Sequence, residues 1–474
     1  MLQKGPGACL ERSTTRSFSR ALMLRLSVSD VPAVGPAPAC RLARLSTSPR
    51  VPSCGTTFGG QHPGWTLARM SSSILTTFST PCRLESSAKA GENSAFANSL
   101  RNQRRSVVRK DPLHTKLCES LGIEYPIVSF THCKDVAAAV INAGAFAVLG
   151  QTQSSPDEIA ANIKWLREKV GDKPFGVDLV FPASVPDHGT PEELIEQIPK
   201  VQKEFTEDIK RRHKIPPPKK TPELYDLGWV NKDTPQKQLE VVLDEKVPVV
   251  ASGLGNPGFF VEAAHERGMQ VWGLVGKARQ AKKELEAGVD LLVAQGIDAA
   301  GHTGPIGTFS IVPQVVAIAG DTPVLAGGGV TTGQHLAGAL TLGAAGVWTG
   351  TLWLPCRESD IEMQMKERLL EASVEDTSFS NCISGFTMRT LKSTWHKEWG
   401  SKDAPPPAPA PYQLLLFADI KQSGLDWELP EFMTEAAGQG VGFIDSMKPA
   451  RQIVFDMVEE AHEAFDRVFG TDDD

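Results

Sequence analysis

The sequence predicts an α/β protein of the (β/α)8, or TIM, barrel class, with helical insertions and a disordered N-terminal extension. From Leu117 onward, short apolar runs alternate with amphipathic helical stretches, which is typical of a parallel sheet covered by helices. Eight such runs are present, and eight strand–helix repeats can close into a barrel. A doubly wound open sheet is the competing architecture, but the number of repeats favours the barrel.

Each predicted strand is mostly apolar and ends at or just before a glycine or a polar residue. One of the intervening helices opens at Asn256-Pro257, a capping residue followed by a proline suited to the first turn. The predicted strands are Pro126–Phe130, Phe146–Gly150, Pro174–Val180, Val247–Ser252, Gln270–Val275, Asp290–Ala294, Pro323–Ala326 and Ala345–Thr349. The other predicted helices are Val136–Ala143, Ser155–Val170, Ala278–Ala287, Phe309–Ala319, Gly333–Leu342 and, closing the chain, Lys448–Phe469.

Two insertions interrupt this rhythm. Residues 191–246 are too long for a single connection. The second insertion, at about residues 355–440, contains the proline-rich run Ala404–Pro411, which predicts a stiff extended linker. Three tryptophans flank that run and are expected either to cap the barrel mouth or to pack a helical appendage; they are Trp395, Trp399 and Trp427.

The first 110 residues differ in charge from the rest of the chain. They hold 16 Lys and Arg against 4 Asp and Glu, whereas residues 111–474 hold 33 and 52. A segment rich in Arg and Ser and poor in acid is typical of an organellar transit peptide, and a disordered extension without a targeting role is the alternative. We therefore expect a leader at 1–110, a barrel at 111–474 and a mitochondrial location, with a plastid-type organelle or the cytoplasm as alternatives.

Composition also argues against several kinds of partner. An acidic body is unsuited to nucleic acid, because phosphate contacts require clustered Lys and Arg. No apolar run is long enough to span a bilayer. The eight cysteines include no Cys-x-x-Cys pair, so the sequence predicts neither a metal site nor a disulfide framework.

Glycines and polar residues gather at the ends of the predicted strands. In a barrel the carboxyl ends of the strands converge on one face, where catalytic groups lie. The strand ends carry Ser129 to His132, Gly150-Gln151, Asp178, Ser252 to Gly255, Gln295 to His302, Gly327 to Gly329 and Gly350-Thr351.

Two glycine loops predict a phosphate site. Gly327-Gly328-Gly329 follows the seventh apolar run and precedes a helix, and Gly350-Thr351 follows the eighth. Loops after the last two strands of such a barrel, with exposed amides at a helix N-terminus, commonly bind phosphate. A plain glycine-rich turn is the alternative.

The stretch Val293–Gly307 predicts the chemical centre. Its four glycines allow backbone to approach a ligand closely. His302 is interpreted as catalytic because its ordinary pKa lies near neutrality, with a structural histidine as the alternative. Gln295 has donor and acceptor atoms suited to the edge of a flavin or a base, or it caps a turn. His132, for which a structural role is equally supported, and Thr303 are candidates for the substrate pocket.

Three motifs are shared with a known family. They are Ala294 to His302, Leu325 to Val330 and Gly343 to Thr351, and together they resemble the nitronate monooxygenase (2-nitropropane dioxygenase-like) family. The resemblance implies a TIM barrel that holds non-covalent FMN, with its phosphate on the Gly327–Gly329 and Gly350-Thr351 loops. It places His302 on the family's catalytic base and Gln295 on a glutamine that contacts the flavin.

The chain departs from the family pattern at three places where substrate would meet the flavin. Ser129-Phe130-Thr131 replaces the usual Ala-Pro-Met after the first strand. Asp178 stands where an asparagine is typical, and Ala300-Gly301 replaces a pair of glycines before the histidine. By position, the resemblance assigns Ser129, Phe130, Thr131, Asp178 and Gly301 to the cofactor site.

The function implied by the resemblance is the oxidation of nitronates or nitroalkanes by molecular oxygen, giving a carbonyl compound and nitrite. Its partners would be a small-molecule substrate and oxygen. An alternative on the same barrel is an NAD(P)H-dependent flavin reductase of the enoyl-acyl-carrier-protein reductase or quinone reductase type. A further alternative is a ligand-binding barrel without turnover.

Overall fold

Eight parallel strands close into a barrel in the computed structural model, which describes residues 111–187, 189–222 and 232–470. The predicted leader at 1–110 lies outside the described residues. The barrel strands are β1 (Ile127–Thr131), β2 (Phe146–Gly150), β3 (Gly176–Val180), β4 (Val249–Gly253), β5 (Gln270–Val275), β6 (Leu291–Gln295), β8 (Val324–Gly327) and β9 (Gly346–Thr349). The predicted barrel is confirmed, and each predicted strand matches within two residues at either end.

Helices follow the strands and cover the outside of the barrel. The predicted helices match within two residues at either end, and Asn256 accepts a hydrogen bond from Gly258 N at the predicted helix opening. The helices are α1 (Lys116–Leu121), α2 (Lys134–Asn142), α3 (Pro156–Val170), α4 (Pro191–Gln197), α5 (Lys200–His213), α6 (Asp233–Asp244), α7 (Val261–His265), α8 (Ala278–Glu286), α9 (Thr308–Ala319), α10 (Gly333–Thr341), α11 (Met363–Glu371), α12 (Thr394–Trp399), α13 (Tyr412–Asp426) and α14 (Ala450–Phe469).

Both faces of the barrel strands are buried, which explains why they read as continuous apolar runs. Alternate residues point to opposite faces. Val128, Val148 and Trp272 fill the barrel interior, whereas Ile127 and Leu149 pack outward against the helices. The closing contact joins β1 to β9, with Ser129 opposite Thr349. No helix in the described ranges is both long and apolar enough to cross a bilayer.

A second, antiparallel sheet stands beside the barrel. It consists of β10 (Thr377–Ser380), β11 (Met388–Leu391) and β7 (Gly301–His302), with β11 in the middle. Met388 lies opposite His302, and Arg389 lies opposite Gly301. Residues 355–440, which we call the cap segment, therefore bond directly to the strand that carries His302.

The cap segment and helices α4 and α5 share a hydrophobic core of their own. Trp395 and Trp399 lie buried in it against Phe417 of α13 and Ile209 of α5. These two tryptophans thus pack a helical appendage, one of the two predicted outcomes, whereas Trp427 is exposed. The proline-rich run is more than a linker, because Ala408 and Ala410 within it are buried and Ala408 N donates to the Gln413 side chain at 2.8 Å.

Candidate active site

A cavity of about 1050 Å³ opens at the carboxyl ends of the barrel strands and is closed over by the cap segment. Most of the residues singled out from the sequence meet there. Those that line the cavity are Phe130, Thr131, His132, Asp178, Gln295, Gly301, His302, Thr303, Gly328, Gly329, Gly350 and Thr351. Its size suits a ligand larger than a simple nitroalkane.

Two predicted site residues do not line this cavity. Ser129 lies in β1 with the same orientation as Ile127, so its side chain faces the surrounding helices, where it is fully buried. Gly327 completes β8 and is held by strand pairing to Gln295 and Trp348. The strand alternation explains Ser129, since a residue near a strand end reaches the mouth only on the inward face. Gly327 is on the inward face, where a Cβ would meet Val293 and Trp348 of the barrel interior.

His302 is held in place by the cap segment. Its Nε2 atom lies 2.9 Å from Ser384 Oγ, and its ring meets the Phe386 ring edge-on at 5.9 Å between centroids. Ser384 Oγ also lies 3.1 Å from the Phe386 carbonyl oxygen. Because a carbonyl only accepts, the serine proton is donated there, and Ser384 Oγ then accepts from Nε2–H of His302. This arrangement favours the tautomer whose lone pair is on Nδ1.

The surroundings of His302 keep it uncharged. Burial lowers the pKa of His302 from its ordinary 6.5 to about 4, because the cavity wall solvates imidazolium poorly. At neutral pH the imidazole is therefore uncharged. That is the protonation state that a general base requires.

Two polar side chains of the barrel face the mouth without a partner among the described residues. Gln295 closes β6 and makes no side-chain hydrogen bond there. Asp178 is buried in β3, and its Oδ1 atom is enclosed without a hydrogen-bond partner. Burial raises the pKa of Asp178 well above its ordinary value. Buried polar atoms are nearly always paired, so Asp178 points to a ligand that supplies the missing partner, and the half-buried Gln295 lines the same cavity.

The two predicted phosphate loops form an open backbone cradle. Gly328 and Gly329 have φ angles of 106° and 71°, which favour glycine. Within the described residues, their backbone amides donate no hydrogen bond. Thr351 Oγ1 accepts from Gly438 N at 2.9 Å, so its own proton remains to be donated. This set of donors is what an anionic group such as a phosphate would require.

The amides at the start of helix α10 are not part of that cradle. The sequence-based expectation of exposed amides there was wrong, because side chains already occupy them. Thr332 N donates to His335 Nδ1 at 3.2 Å, and Gly333 N donates to Glu460 Oε2 at 2.7 Å. An anion in the cavity would therefore be bound by the loops themselves rather than by the helix terminus.

His132 belongs to a charged cluster that sequence reasoning did not find. Its Nδ1 donates to the Gly150 carbonyl oxygen at 3.0 Å, because a carbonyl only accepts. Lys421 Nζ lies 3.5 Å from Glu435 Oε2, and both residues line the cavity from the cap segment. Burial lowers the pKa of His132, although Glu435 opposes the effect. For Glu435, burial is outweighed by Lys421 and the Ala436 amide, which hold its pKa below the ordinary value.

The remainder of the cap wall is mainly apolar. One of its apolar side chains, Phe386, meets the His302 ring, and none of them belongs to a motif. The apolar lining residues of the cap segment are Ile361, Met365, Phe379, Ile383, Phe386, Met388, Leu414, Phe417, Leu425, Met433 and Ala436. Their positions are scattered over a segment without a regular period, so only the folded chain brings them together.

Comparison with known proteins identifies the family. The family model described as nitronate monooxygenase matches residues 114–460. The chain belongs to the nitronate monooxygenase family. It is 37% identical over 363 residues to the monooxygenase Rv1533 of Mycobacterium tuberculosis, covering 73% of this chain and 96% of that relative. The nitronate monooxygenase of Pseudomonas aeruginosa is 28% identical over 356 residues, covering 72% and 97%.

A solved structure agrees with this assignment. The nitroalkane oxidase from Streptomyces ansochromogenes superposes with a TM-score of 0.63 at 26% identity, covering 74% of this chain and 99% of that chain. As a member of the nitronate monooxygenase family, the protein is an oxidoreductase. The family match includes the barrel, the cap segment and most of α14, so the whole cavity wall falls within it.

Proposed function

We propose that this nitronate monooxygenase family member uses FMN to oxidise nitronates or nitroalkanes with molecular oxygen, giving a carbonyl compound and nitrite. The observation that carries the proposal is the position of His302, whose Nε2 atom is bonded to Ser384, in a cavity that also holds an anion cradle. The named activities of its relatives, nitronate monooxygenase and nitroalkane oxidase, agree with that chemistry.

The residues present fit FMN. The open amides of Gly328 and Gly329 and the hydroxyl of Thr351 would hold the phosphate. Gln295 and Asp178, whose Oδ1 atom has no hydrogen-bond partner among the described residues, would meet the polar edge of the ring system. Phe130 stacks on Trp348 at 5.5 Å between centroids and provides a flat apolar surface in the same cavity. Bound FMN would supply the electron transfer and the reaction with oxygen.

His302 would act on the substrate carbon. Its neutral imidazole can remove the proton next to the nitro group, which turns a neutral nitroalkane into a nitronate anion. The imidazolium formed in that step would lie beside the new anion and stabilise it. Ser384 would hold the ring during the transfer, because its Oγ fixes Nε2. The apolar cap wall would exclude water from the pair.

The test compares two substrates in one variant. In His302→Asn, turnover of neutral nitroalkane should fall by roughly 10²–10⁴-fold, since a positioned base contributes about that much. Preformed nitronate needs no proton removal and should be largely spared. Oxygen uptake and nitrite release measure both reactions. His265→Asn is a matched control, because His265 bonds Asp290 outside the cavity. An equal loss on both substrates would show that His302 is not the base.

The two alternatives give different results in the same preparation. An NAD(P)H-dependent reductase would bleach the flavin rapidly when NADH or NADPH is added without oxygen, and nitronate would not. A barrel without turnover would be colourless and would take up no FMN. The proposed oxidase requires a yellow protein whose flavin is bleached by nitronate under nitrogen and recovers its colour in air.

A further inference from the structure

Asp178 is a carboxyl group buried where a carboxylate is poorly tolerated. It lies in β3 between Gly150 of β2 and Ala251 of β4. Its side chain points into the barrel, because it alternates with Val177 and Leu179, which face the helices. It is only 4% exposed, and in the part of the chain that the structure describes its enclosed Oδ1 atom has no hydrogen-bond partner. A buried ionised carboxylate without a cation or a donor would cost several kcal/mol.

Among the described residues, no charged group offsets the effect of burial on Asp178. The His, Lys, Asp and Glu side chains that line the same cavity come from the segment after β1, from the residue before α8, from β7 and from the cap segment. Burial is the one influence on Asp178, and it raises the pKa of the carboxyl group well above the ordinary value. The neighbouring groups are His132, Lys277, His302, Asp360, Glu362, Lys421 and Glu435.

We propose that Asp178 is held as a neutral carboxylic acid and binds the flavin ring edge by donating its proton to a flavin acceptor atom. The inference rests on the proposed FMN site. A neutral carboxylic acid has one donor and one good acceptor oxygen, the same pair that an amide side chain offers. An apolar site can keep such an acid protonated and make it a hydrogen-bond donor. The acid thereby acts as a substitute for an amide, and Asp178 is a flavin-binding residue.

The proposal predicts that replacement of Asp178 by Asn preserves FMN binding, whereas replacement by Ala does not. Asp178→Asn preserves shape, donor and acceptor and should bind FMN within about threefold of the wild type. Asp178→Ala loses the hydrogen bond and should bind about tenfold more weakly, as expected for roughly 1–1.5 kcal/mol. Titration of the apoprotein with FMN, followed by flavin fluorescence, measures these affinities without any turnover. Thermal unfolding of each variant checks that it is folded.

Infrared difference spectroscopy supplies a second readout. The wild type at pH 7 should show the carbonyl band of a protonated carboxylic acid that Asp178→Asn lacks. Glu284 is also buried, and its pKa is raised to about 8, so Glu284→Gln serves as the control. That residue does not line the cavity, and the variant should keep wild-type FMN affinity while retaining the Asp178 band.

The possible results distinguish a failure of the neutral-acid proposal from a failure of the proposed FMN-dependent function. Absence of the Asp178 band at pH 7, or FMN affinity in Asp178→Asn tenfold or more below the wild type, would overturn the neutral acid while leaving the flavin site intact. Failure of the wild type itself to bind FMN would overturn both proposals. Wild-type binding that equals Asp178→Asn, together with the band and the weaker Asp178→Ala, supports the inference.

Discussion

The Nε2 atom of His302 lies 2.9 Å from the Oγ atom of Ser384, although the two residues are 82 positions apart in the chain. The bond joins a short strand at the barrel mouth to a loop of the cap segment, between β10 and β11. It orients the ring, and with the Phe386 carbonyl it favours one tautomer of the imidazole. A histidine that acts as a base therefore depends on a serine supplied by the cap segment.

Removing that serine hydroxyl should impair proton removal selectively. In Ser384→Ala, kcat for neutral nitroalkane should fall about tenfold, since one hydrogen bond no longer fixes the base. Turnover of preformed nitronate should change little. Steady-state oxygen uptake on the two substrates measures the difference.

Two variants provide the controls for Ser384. Ser384→Thr keeps a hydroxyl and should recover most of the lost rate. Ser380→Ala removes a hydroxyl from β10 that contacts Cys382 and does not line the cavity, so it should be nearly neutral. If Ser384 had a purely structural role, turnover of both substrates would fall by the same factor, and the Ala and Thr variants would behave alike.

The pH profile should report the lowered pKa of His302. Neutral imidazole is the active form, and burial lowers its pKa to about 4. The kcat/KM for neutral nitroalkane should therefore stay level from pH 8 to pH 5 and decline only near pH 4. An inflection near the ordinary 6.5 would contradict this. The same shift means that the unfolded chain binds more protons, so stability falls as pH drops from 6.5 towards 4, and circular dichroism must confirm folding at each pH.

The glycine cradle can be tested with a pair of glycine variants. A side chain at Gly328 would have to adopt a φ of 106° and would place Cβ 2.7 Å from Thr308 Oγ1 and 3.0 Å from Ala299 N. The strain alone is about 1–2 kcal/mol. Gly328→Ala should weaken FMN binding at least about tenfold in a fluorescence titration.

A second glycine serves as the matched comparison. Gly307 has an ordinary φ of −62°, and a Cβ there would meet nothing within 4 Å. Gly307→Ala should leave the affinity for FMN unchanged. Equal behaviour of the two variants would show that the Gly328 loop does not bind the phosphate.

Glu284 should destabilise the protein as pH rises. It is buried in α8 against Gly273 of β5, and burial raises its pKa to about 8, while Oε2 has no hydrogen-bond partner. The folded state holds a proton that the unfolded state releases above its ordinary 4.5, so stability is lost as pH rises from about 4.5 through 8. Glu284→Gln should be more stable by roughly 2–3 kcal/mol at pH 7.

Urea unfolding at two pH values measures that effect. The gain from Glu284→Gln should be small at pH 5 and larger at pH 8. The neighbouring surface variant Glu286→Gln provides a comparison, since Glu286 ends the same helix without being buried. A gain independent of pH would mean that the Glu284 carboxyl is not protonated in the folded state.

The basic leader should direct the chain to mitochondria. We propose this from its many arginines and few acids. A fluorescent reporter joined to residues 1–110 should colocalise with a mitochondrial dye, and replacement of Arg12, Arg16 and Arg20 by Gln should leave it diffuse. Diffuse signal from the unaltered leader would favour an extension without a targeting role.

The barrel could be predicted from the sequence because its signals are local. Each strand is a short apolar run with a glycine or polar residue near its end, and this pattern is visible within a few residues. The candidate catalytic stretch, Val293–Gly307, could be singled out for the same reason, since its glycines and His302 lie together in the chain. Local patterns therefore predicted the residues that the barrel contributes to the cavity, including Gln295, Asp178 and the two loops.

The residues that the cap segment contributes to the cavity could not be predicted, because their contacts are with residues far away in the sequence. Ser384, Lys421 and Glu435 carry no motif, and they reach His302 or His132 only through the packing of scattered apolar residues. Strand β7 has two residues, too few for an alternating pattern, and its partner β11 lies more than 80 residues later. The amides of α10 were misjudged for a similar reason, because Glu460 reaches them from α14, 127 positions away from Gly333.

The pairing of β11 with β7 constrains how substrate can enter. If the cap segment moved away as a hinged lid, β11 would move with it, and the backbone of His302 would be displaced because β11 pairs with β7. Substrate entry and proton removal could then not take place at the same time, because His302 would be misaligned while the cap segment was open. His302, the proposed base, would therefore be correctly oriented only while the cap segment is closed, and an open enzyme would be unable to remove protons from other molecules that enter the cavity.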